Sequence, residues 1–527
     1  MHFLSHFTLE PRAPQRREVF LPRVLRALLR LLILLAALLT IATLWARETY
    51  GYITIEEILF HLVMPLQGTA RDLTYSLLRW VFLPFAALSA LIFAALLLPR
   101  HRVLFARLGS LRIPLLPLRL PLPLMAVGLV LWGMVFYPIA DRFLAISEFV
   151  RGRLRDSTLI EERYVDPSST ALTFPEKKRN LITLYLESAE TTSQDVASGG
   201  KMPVNYIPEL TRLAQENVSF SQNARIAGAT VAPACGWTVS ALVAQTAGLP
   251  LKLYHPDPDA NNMGMDLVRF LPGATTLGDL LEAQGYRNVF LAGSDFDFAG
   301  RRQYYIQHGH YDIYDYYTAI EDGWIDEDYY YGWGFEDQKL YGFAKGLLQE
   351  LSASDQPFHF SLLTVDTHFP GFLCPLCPED DGNIYGRTIR CASKQAWDFV
   401  AWCKQQPFYE NTTIVVTGDH ASMIGGFYDQ STQESYDVQL GSTERLVYNA
   451  FINAAATPVQ EKDRRFTTLD FFPTVVASLG ATIEGDRLGL GTNLFSARQT
   501  LSEEMGYEAL FSELAAKSTF YDRHLLR

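Results

Sequence analysis

Five acidic or imidazole side chains stand at the ends of apolar runs, where a buried strand would finish. Glu187 closes NLITLYLES (180–188), Asp366 and His368 close FHFSLLTVDTH (358–368), and Asp419 and His420 close NTTIVVTGDH (411–420). A charged group at the edge of a core must be paired, hydrated or bound to a metal. Carboxylates and imidazoles delivered to one place by three strands are typical of a metal centre or an acid–base site.

A candidate nucleophile lies in PACGWTVSALVAQTAGLP (233–250), where Thr238 comes directly before a helical pattern. One interpretation is structural, since threonine is a common N-cap. Ala241 stands three residues later, so the acidic partner of a capping box is absent. A hydroxyl at a helix N-terminus also lies at the positive end of the helix dipole, which favours an alkoxide and an incoming phosphate.

Each candidate also has a structural alternative that the sequence leaves open. Glu187 could be a surface carboxylate, Asp419 and His420 an ordinary turn pair, and His368 a histidine satisfied within the fold. Asp366 could orient His368 or cap its strand, and we assign it no catalytic role. The functional interpretation rests on all of these residues falling at strand ends.

The elements that must position these side chains alternate between short apolar runs and helical patterns. Strands are predicted at 180–188, 286–294, 358–368, 411–420 and 447–455, with helices between them that include 275–285, 339–351 and 467–480. This alternation predicts an α/β domain over 178–500 with a central, mostly parallel sheet flanked by helices, and a C-terminal segment, 501–527. Ligands bind just beyond the carboxyl ends of the strands in such sheets.

Three apolar runs near the N-terminus predict transmembrane helices, since about 20 consecutive apolar residues cross a bilayer. The predicted spans are 24–45, 79–98 and 118–140, within a membrane domain (23–145) that follows a cytoplasmic tail (1–22) and precedes a linker (146–177). The first run has a long basic lead-in and no small-residue cleavage site, unlike a simple signal peptide. The alternative is that the runs are buried core helices.

The distribution of charge predicts the orientation of the membrane domain. Arginine clusters precede the first span and lie between the second and third spans, so both segments are expected in the cytoplasm and residues after about 145 outside. Residues 1–150 carry a net charge of +7, whereas the rest of the chain carries −19. An acidic exterior domain argues against nucleic-acid binding.

All five cysteines fall in the exterior part, at Cys235, Cys374, Cys377, Cys391 and Cys403. The CPLC pair at 374–377 and the two thiols that follow it have a spacing that imitates a zinc knuckle. The sequence favours one or two disulfides instead, because the compartment is oxidising. The pairing cannot be read from the sequence, and an odd count leaves one thiol over.

Eight motifs resemble, in order, those of the phosphoglycerol transferase I family, a relative of lipoteichoic acid synthase in the alkaline phosphatase and sulfatase superfamily. They are NLITLYLES, CGWTVSALVAQTAGLPL, TTLGDLLEAQGYRNVFLAGSDFDFAG, YYIQHGH, YGWGFED, LLTVDTHFPGF, IVVTGDH and LGLGTNLFS. The resemblance spans residues 175–497 and implies an alkaline phosphatase/sulfatase-like domain behind a three-helix anchor.

The resemblance implies a metal-dependent enzyme that moves phosphoglycerol from phosphatidylglycerol, through a phosphothreonine, to a glycan such as a periplasmic glucan. Glu187, Thr238, Asp419 and His420 correspond to the metal ligands, with Thr238 also the nucleophile, and His368 and Arg301 correspond to residues that hold phosphoglycerol. The oxygen-rich ligand set favours one Mn²⁺ ion, with Zn²⁺ and Mg²⁺ as alternatives. The implied location is the lipid bilayer of the bacterial inner membrane, crossed several times, with the catalytic domain in the periplasm.

Two other functions stay open. Phosphoethanolamine transferases also use a metal-bound threonine, but usually show a Gly-Glu-Thr-like strand end where this chain has LESAE, and more membrane spans. A non-catalytic membrane sensor or scaffold would be expected to lose at least one of the four ligands, and all four are present. The Cys-x-Pro-x-Arg signature of sulfatases is not matched, because Gly236 and Trp237 follow Cys235.

Overall fold

The computed structural model describes residues 7–11, 20–50, 53–63, 71–97, 102–108, 111–116, 122–252, 269–379, 383–424, 427–428 and 445–526. The chain divides into two compact units. One contains Met1–Thr49 and Arg71–Phe143, and the other contains Tyr50–Ala70 and Leu144–Arg527.

The first unit consists of apolar helices and a small sheet. Its helices are α1 (Phe20–Tyr50), α3 (Arg71–Leu77), α4 (Leu83–Leu97) and α5 (Leu122–Leu144), whereas α2 (Ile55–Val63) belongs to the second unit. A π-helix, Leu78–Phe82, joins α3 to α4. Strands β1 (Phe7–Pro11), β2 (Arg102–Leu108) and β3 (Leu111–Leu116) pair antiparallel in that order, so the predicted tail 1–22 contains a strand and the start of α1.

Two described helices are long and apolar enough to cross a membrane, Val24–Thr49 and Leu122–Leu144, with mean hydropathies of 2.5 and 1.9. Buried residues make up only 11% and 6% of their most apolar stretches, whereas a core helix would be mostly buried. The predicted span 79–98 is helical as far as Leu97, but it is divided between the π-helix and the 15-residue α4. The three-helix anchor therefore stays a prediction.

The second unit is built on a six-stranded sheet with the order β12-β10-β5-β9-β7-β8. All neighbours are parallel except the edge strand β12, which pairs antiparallel with β10. The strands of this unit are β4 (Leu172–Thr173), β5 (Asn180–Leu186), β6 (Ala229–Thr230), β7 (Arg287–Ala292), β8 (Asp312–Tyr314), β9 (Phe358–Leu363), β10 (Thr412–Gly418), β11 (Leu446–Val447), β12 (Asn449–Ile452), β13 (Thr482–Ile483), β14 (Arg487–Leu488) and β15 (Gly491–Thr492). The predicted α/β domain with a mostly parallel central sheet is confirmed.

Helices cover both faces of this sheet. They are α6 (Ile146–Leu154), α7 (Leu159–Arg163), α8 (Pro208–Glu216), α9 (Thr238–Ala247), α10 (Leu277–Ala283), α11 (Arg301–Gln307), α12 (Tyr316–Glu321), α13 (Asp337–Leu351), α14 (Ile384–Cys403), α15 (Phe471–Ser478), α16 (Leu501–Met505), α17 (Tyr507–Ala515) and α18 (Thr519–His524). Because side chains alternate along a strand, Leu181 and Tyr185 of β5 pack with α9 and α15, whereas Ile182 and Leu184 pack with α8, α13 and α14. This two-sided burial explains why the strands read as continuous apolar runs.

The segment 146–177, which the sequence predicts as a linker, is instead packed into the second unit. Leu159 and Ile160 are buried in the same cluster as Leu510 and Leu514 of α17. Strand β4 pairs with β13, and Val165 bridges to Gly489. The segment is ordered because its few apolar residues fill space beside the C-terminal helices, which belong to the same core.

The five cysteines are all free and buried, so the expected disulfides are absent. The Cys374 sulfur lies 3.8 Å from that of Cys377 and 3.6 Å from that of Cys391, far beyond the bonded distance of about 2.05 Å. Cys235 lies in the core beside α9, and Cys403 ends α14.

Candidate metal centre

Two neighbouring strand ends form the base of the candidate site. Strands β5 and β10 are parallel and pair Leu186 with Gly418, so the residues that follow them, Glu187 and Asp419, emerge side by side. The Asp419 carboxylate accepts the backbone N–H of Ser188 at 2.8 Å, which ties the two strand ends together. Parallel pairing in this register is what brings residues more than 200 positions apart to one place.

Helix α9 delivers Thr238 as its first residue. The preceding residue, Trp237, is the N-cap, and its backbone N–H donates to Ser240 Oγ at 3.1 Å. Thr238 is therefore not needed as a cap, which removes the structural alternative for this residue. Further along α9, Gln245 Nε2 donates to the carbonyl oxygens of Gly418 at 2.9 Å and Asp419 at 3.3 Å. These bonds hold the helix against the end of β10.

Four sequence-predicted residues meet at this point. Thr238 Oγ1 lies 3.4 Å from Glu187 Oε2 and 3.3 Å from His420 Nε2. His420 Nε2 lies 3.5 Å from Glu187 Oε1 and 3.4 Å from Asp419 Oδ2. Glu187, Asp419 and His420 each offer a ligand atom within 4.8 Å of the others. Four donors at this spacing surround a point that could hold one ion.

The chemistry of the donor set fits a divalent cation. Asp419 Oδ1 accepts two backbone N–H groups, but Oδ2 is buried and receives no hydrogen bond from the residues that the structure describes. His420 Nδ1 faces the carbonyl oxygen of Ala421 at 2.9 Å, so in the neutral ring the hydrogen sits on Nδ1 and Nε2 keeps its lone pair. A buried carboxylate oxygen without a donor is costly unless a cation approaches it. Two carboxylates, an imidazole and a hydroxyl are ligands suited to Mn²⁺, Zn²⁺ or Mg²⁺.

Without a cation, protons would supply part of the positive charge that this cluster needs. Burial raises the pKa of Asp419 to about 7. Burial alone would lower the pKa of His420, but the carboxylates of Asp419 and Glu187 outweigh it and raise that pKa to about 9. Burial opposes ionisation of Glu187 as well, yet His420 and His368 hold the pKa of this carboxyl below its usual value. A metal ion would therefore compete with protons for these ligands.

Arg301 and His368 lie close enough to interact electrostatically with Glu187. Arg301 is buried at the start of α11, where Nε donates to Phe298 O at 3.1 Å and Nη2 donates to Ser294 Oγ and Asp295 O. Among the described residues, no hydrogen bond uses its Nη1. The ring of His368 packs against Trp333 with centroids 4.5 Å apart.

Asp366 is buried away from the metal-type cluster. Its backbone N–H donates to Asp337, and burial together with the Asp337 carboxylate raises the pKa of Asp366 to about 10. The strand before it ends at Leu363, so Asp366 belongs to the loop that follows and not to the strand end. This position agrees with assigning it no catalytic role.

Glu57 is a further residue near the site, and it lies between the first and second predicted spans. It lies on α2 and is 1% exposed, and it interacts electrostatically with His420. Within the described part of the chain, its Oε1 has no hydrogen-bond partner. Burial raises its pKa to about 8. Phe60 of the same helix packs against Trp237, with the ring centroids 5.6 Å apart. The available signal was a short apolar helix, IEEILFHLV, with two glutamates in its first turn.

A protein-family model described as Sulfatase matches residues 179–481, which is more than half of the chain and includes all six candidate site residues. The chain belongs to the sulfatase family. This match confirms the superfamily that the sequence motifs indicated.

Relatives in this family carry the name phosphoglycerol transferase I. The protein from Salmonella choleraesuis (strain SC-B67) is 30% identical over 371 residues, which cover 68% of this chain and 44% of that protein. The protein from Xanthomonas euvesicatoria pv. vesicatoria (strain 85-10) is 30% identical over 330 residues, covering 61% and 43%. The resemblance to this branch of the sulfatase family is confirmed. The chain spans less than half the length of these relatives.

Solved structures also resemble the chain. The lipoteichoic acid synthase LtaP from Listeria monocytogenes is 20% identical with a TM-score of 0.46, over 65% of this chain and 82% of that one. The C-terminal periplasmic domain of EcEptC from Escherichia coli is 13% identical with a TM-score of 0.41, over 61% and 88%.

Proposed function

We propose that this chain is a membrane-anchored, metal-dependent phosphoglycerol transferase. It takes phosphoglycerol from phosphatidylglycerol, holds it on Thr238 and passes it to a glycan acceptor in the periplasm. The observation that carries the proposal is the convergence of Glu187, Thr238, Asp419 and His420 around a buried carboxylate oxygen, Asp419 Oδ2, to which no described residue donates a hydrogen bond. The names of the relatives support the choice of phosphoglycerol.

The four converging residues would hold the ion, with Mn²⁺ favoured by the oxygen-rich set. When bound, the ion would favour the deprotonated form of the Thr238 hydroxyl and offset the charge on the phosphoryl group. The chain itself orients this ligand set. Backbone N–H groups fix Asp419 Oδ1, Ser188 Oγ donates to Glu187 Oε1 at 2.6 Å, and Ala421 O fixes the His420 ring.

In the first half-reaction, the Thr238 hydroxyl donates its hydrogen bond to Glu187 Oε2, and the proton leaves in that direction. Oγ1 then attacks phosphorus, and the bond from phosphorus to the diacylglycerol oxygen breaks. The proton passes from Glu187 through water to the departing diacylglycerol oxygen, and phosphoglycerol stays esterified to Thr238. In the second half-reaction an acceptor hydroxyl attacks the same phosphorus, its proton goes to Thr238 Oγ1, and the bond between phosphorus and Oγ1 breaks, which frees the threonine.

Arg301 and His368 would bind the phosphoglycerol group. Arg301 Nη1 would donate to a phosphate oxygen, because Nε and Nη2 already donate to backbone carbonyl oxygens and to Ser294 Oγ. Trp333 limits the orientations of the His368 ring, which would face the glycerol hydroxyls.

The proposed setting is the bacterial inner membrane, with spans at 24–45, 79–98 and 118–140 and a catalytic domain over 178–500 in the periplasm. The two long apolar helices support anchoring in the bilayer. Anchoring keeps the domain beside its lipid donor and raises the effective concentration of phosphatidylglycerol.

The decisive experiment incubates the full chain in detergent with phosphatidylglycerol and Mn²⁺ and measures the intact and peptide masses. The expected result is a phosphoglycerol adduct on Thr238. Thr238→Val removes the hydroxyl at nearly constant shape and should abolish the adduct. Thr246→Val makes the same change on the same helix outside the cluster, and it should keep the adduct.

Two results would replace this proposal. A phosphoethanolamine adduct formed only from phosphatidylethanolamine would identify the phosphoethanolamine transferase alternative. Absence of any adduct, together with an unchanged cellular phenotype of Thr238→Val, would favour a non-catalytic sensor or scaffold.

A further inference from the structure

A second cluster of metal-type side chains lies outside the candidate metal centre. Cys374 and Cys377 come from the loop that follows His368, and Cys391 comes from α14. All three thiols are buried, with exposures of 6%, 8% and 4%, and their sulfur atoms lie within 4.8 Å of one another. The cluster has a small apolar environment of its own, with Leu373 packed against it.

The separations of the sulfur atoms match a metal site better than a disulfide. Two sulfurs bonded to one tetrahedral zinc ion at about 2.3 Å lie about 3.8 Å apart. Cys374 Sγ lies 3.8 Å from Cys377 Sγ and 3.6 Å from Cys391 Sγ. The turn that closes the CPLC pair, with Cys377 N–H donating to Cys374 O at 3.0 Å, points both sulfurs toward α14.

Gln395 adds a fourth polar group to this cluster. It lies one helical turn after Cys391, on the same face of α14. The terminal nitrogen of its buried amide is 3.2 Å from Cys391 Sγ and 3.6 Å from Cys374 Sγ. The oxygen and nitrogen of such an amide exchange places by a simple flip. The end of this side chain therefore stands where a fourth ligand of a tetrahedral site would lie.

We propose that Cys374, Cys377 and Cys391 bind a structural Zn²⁺ ion, with the Gln395 amide oxygen in the fourth position. Binding releases the three thiol protons to solvent and involves no change of oxidation state. This site is separate from the cluster at Glu187, and it does not depend on the proposed transferase activity. Zn²⁺ is the ion that three thiolates in a closed, buried site select.

The ion would fasten the loop that carries His368 to α14. Cys374 lies six residues after His368, and the intervening loop is otherwise held by Phe372 N–H on Asp366 O and by Tyr331 OH on Leu373 O. A metal link at the end of this loop fixes its distance from the helix without a large apolar core. This link would account for the convergence of three thiols at a loop that has few buried apolar side chains.

The first test counts zinc in the full chain purified in detergent, in an Asp419→Asn background that removes a ligand from the other centre. Elemental analysis should give one zinc per chain. Cys391→Ala should reduce this to background. Cys403→Ala is the matched control, since it changes a buried cysteine of the same helix outside the cluster, and it should keep one zinc.

The second test needs no substitution in the cluster, so it stands even if Cys391→Ala fails to fold. Replacing zinc by Co²⁺ should produce intense sulfur-to-cobalt absorption in the near ultraviolet, and denaturation with a chelator should release five reactive thiols. A mass two hydrogens lower under non-reducing conditions would show a disulfide and overturn the proposal. Five thiols without bound zinc and without the cobalt absorption would overturn it too.

Discussion

At the scale of single residues, Asp419 is the residue that most favours the proposed bound cation. One of its carboxylate oxygens accepts two backbone N–H groups, whereas the other is buried with no hydrogen bond from any described residue and has the His420 Nε2 atom 3.4 Å away. Leaving a buried charged oxygen unsatisfied costs several kcal/mol. A cation bound at this oxygen would remove the cost, so we propose that the arrangement serves ion binding.

Asp419→Asn should weaken Mn²⁺ binding by at least about a hundredfold, because ligand and ligand-orienting groups contribute on that scale. The amide oxygen can still accept the N–H groups of Ser188 and His420, so the fold should be retained. Titration calorimetry on the full chain measures the affinity. Asp366→Asn is the control, since this aspartate also has a buried oxygen without a partner but lies outside the cluster. Equal loss in both variants would contradict the assignment.

Metal binding should weaken as pH falls. In the metal-free site His420 holds a proton up to about pH 9 and Asp419 up to about pH 7. Each proton that the ion displaces below the pKa of its group lowers the apparent affinity about tenfold per pH unit. The dependence should therefore be about one decade per unit between pH 7 and 9 and steeper below 7.

Measurement of free Mn²⁺ by electron paramagnetic resonance across this range tests the slope. In Asp419→Asn the steeper part below pH 7 should disappear, because the amide does not titrate. An affinity that is constant from pH 6 to 9 would show that protons and the ion do not compete.

At the scale of elements, the close approach of strand β10 to residue 189 sets the position of Asp419. A Cβ atom on Gly418 would lie 1.9 Å from the carbonyl oxygen of Ala189, so any side chain there forces the strand end to move. The geometry of the site therefore requires glycine at position 418.

Gly418→Ala should destabilise the fold by about 1–3 kcal/mol and weaken Mn²⁺ binding, because overpacking shifts the backbone that carries the ligands. Gly342→Ala in α13 meets nothing within 4 Å and should raise stability by up to about 1 kcal/mol. Denaturant titration of both variants, with calorimetry of Mn²⁺ binding, distinguishes them. Unchanged metal affinity in Gly418→Ala would show that the strand end adapts.

Much of the site could be predicted from local pattern. Glu187, Asp419 and His420 directly follow buried strands, and Thr238 begins a helix, so apolar runs and their ends were sufficient to find them. Asp366 was also predicted at a strand end, because the apolar run continues to Val365. The strand itself ends at Leu363, three residues before Asp366. Local pattern identifies residues at an edge, but not which of them face each other.

The remaining features depend on contacts between distant segments. The register of β10 against β5 decides that Glu187 meets Asp419, and no local signal encodes it. The burial of Glu57 likewise depends on tertiary packing, because its local sequence contains charged residues and gives no sign of it. The sequence grouped the thiols at 374, 377, 391 and 403, but only the structure shows that Cys403 lies outside the cluster and that the sulfur atoms of Cys374, Cys377 and Cys391 are not bonded to one another.

At the scale of the whole molecule, the second unit closes by joining its first and last segments. Asp156 bridges to Lys517, and Lys252 donates from its ammonium group to the carbonyl oxygens of Leu514 and Ala516. Apolar packing accompanies these bonds, since Leu510 is buried with Leu159 and Ile160. The C-terminal helices are therefore part of the core.

Leu510→Ala should reduce the free energy of unfolding by about 2–5 kcal/mol, the usual cost of removing a buried leucine. Leu154→Ala, at a leucine that is 84% exposed, should change it by less than about 0.5 kcal/mol. Denaturant titration of the full chain in detergent, followed by tryptophan fluorescence, measures both. Equal effects would mean that the C-terminal helices add nothing to the core.

The placement of α2 in the second unit affects the choice of truncations for crystallography. A water-soluble version that starts at Leu144 would lose the helix that packs Phe60 onto Trp237, next to Thr238. It would also lose Glu57, so solvent and detergent would reach a surface that is covered in the intact chain. Grafting residues 53–63 ahead of Leu144 through a flexible tether would restore that cover, and tests of the proposed activity in truncated versions should be compared with such a fusion.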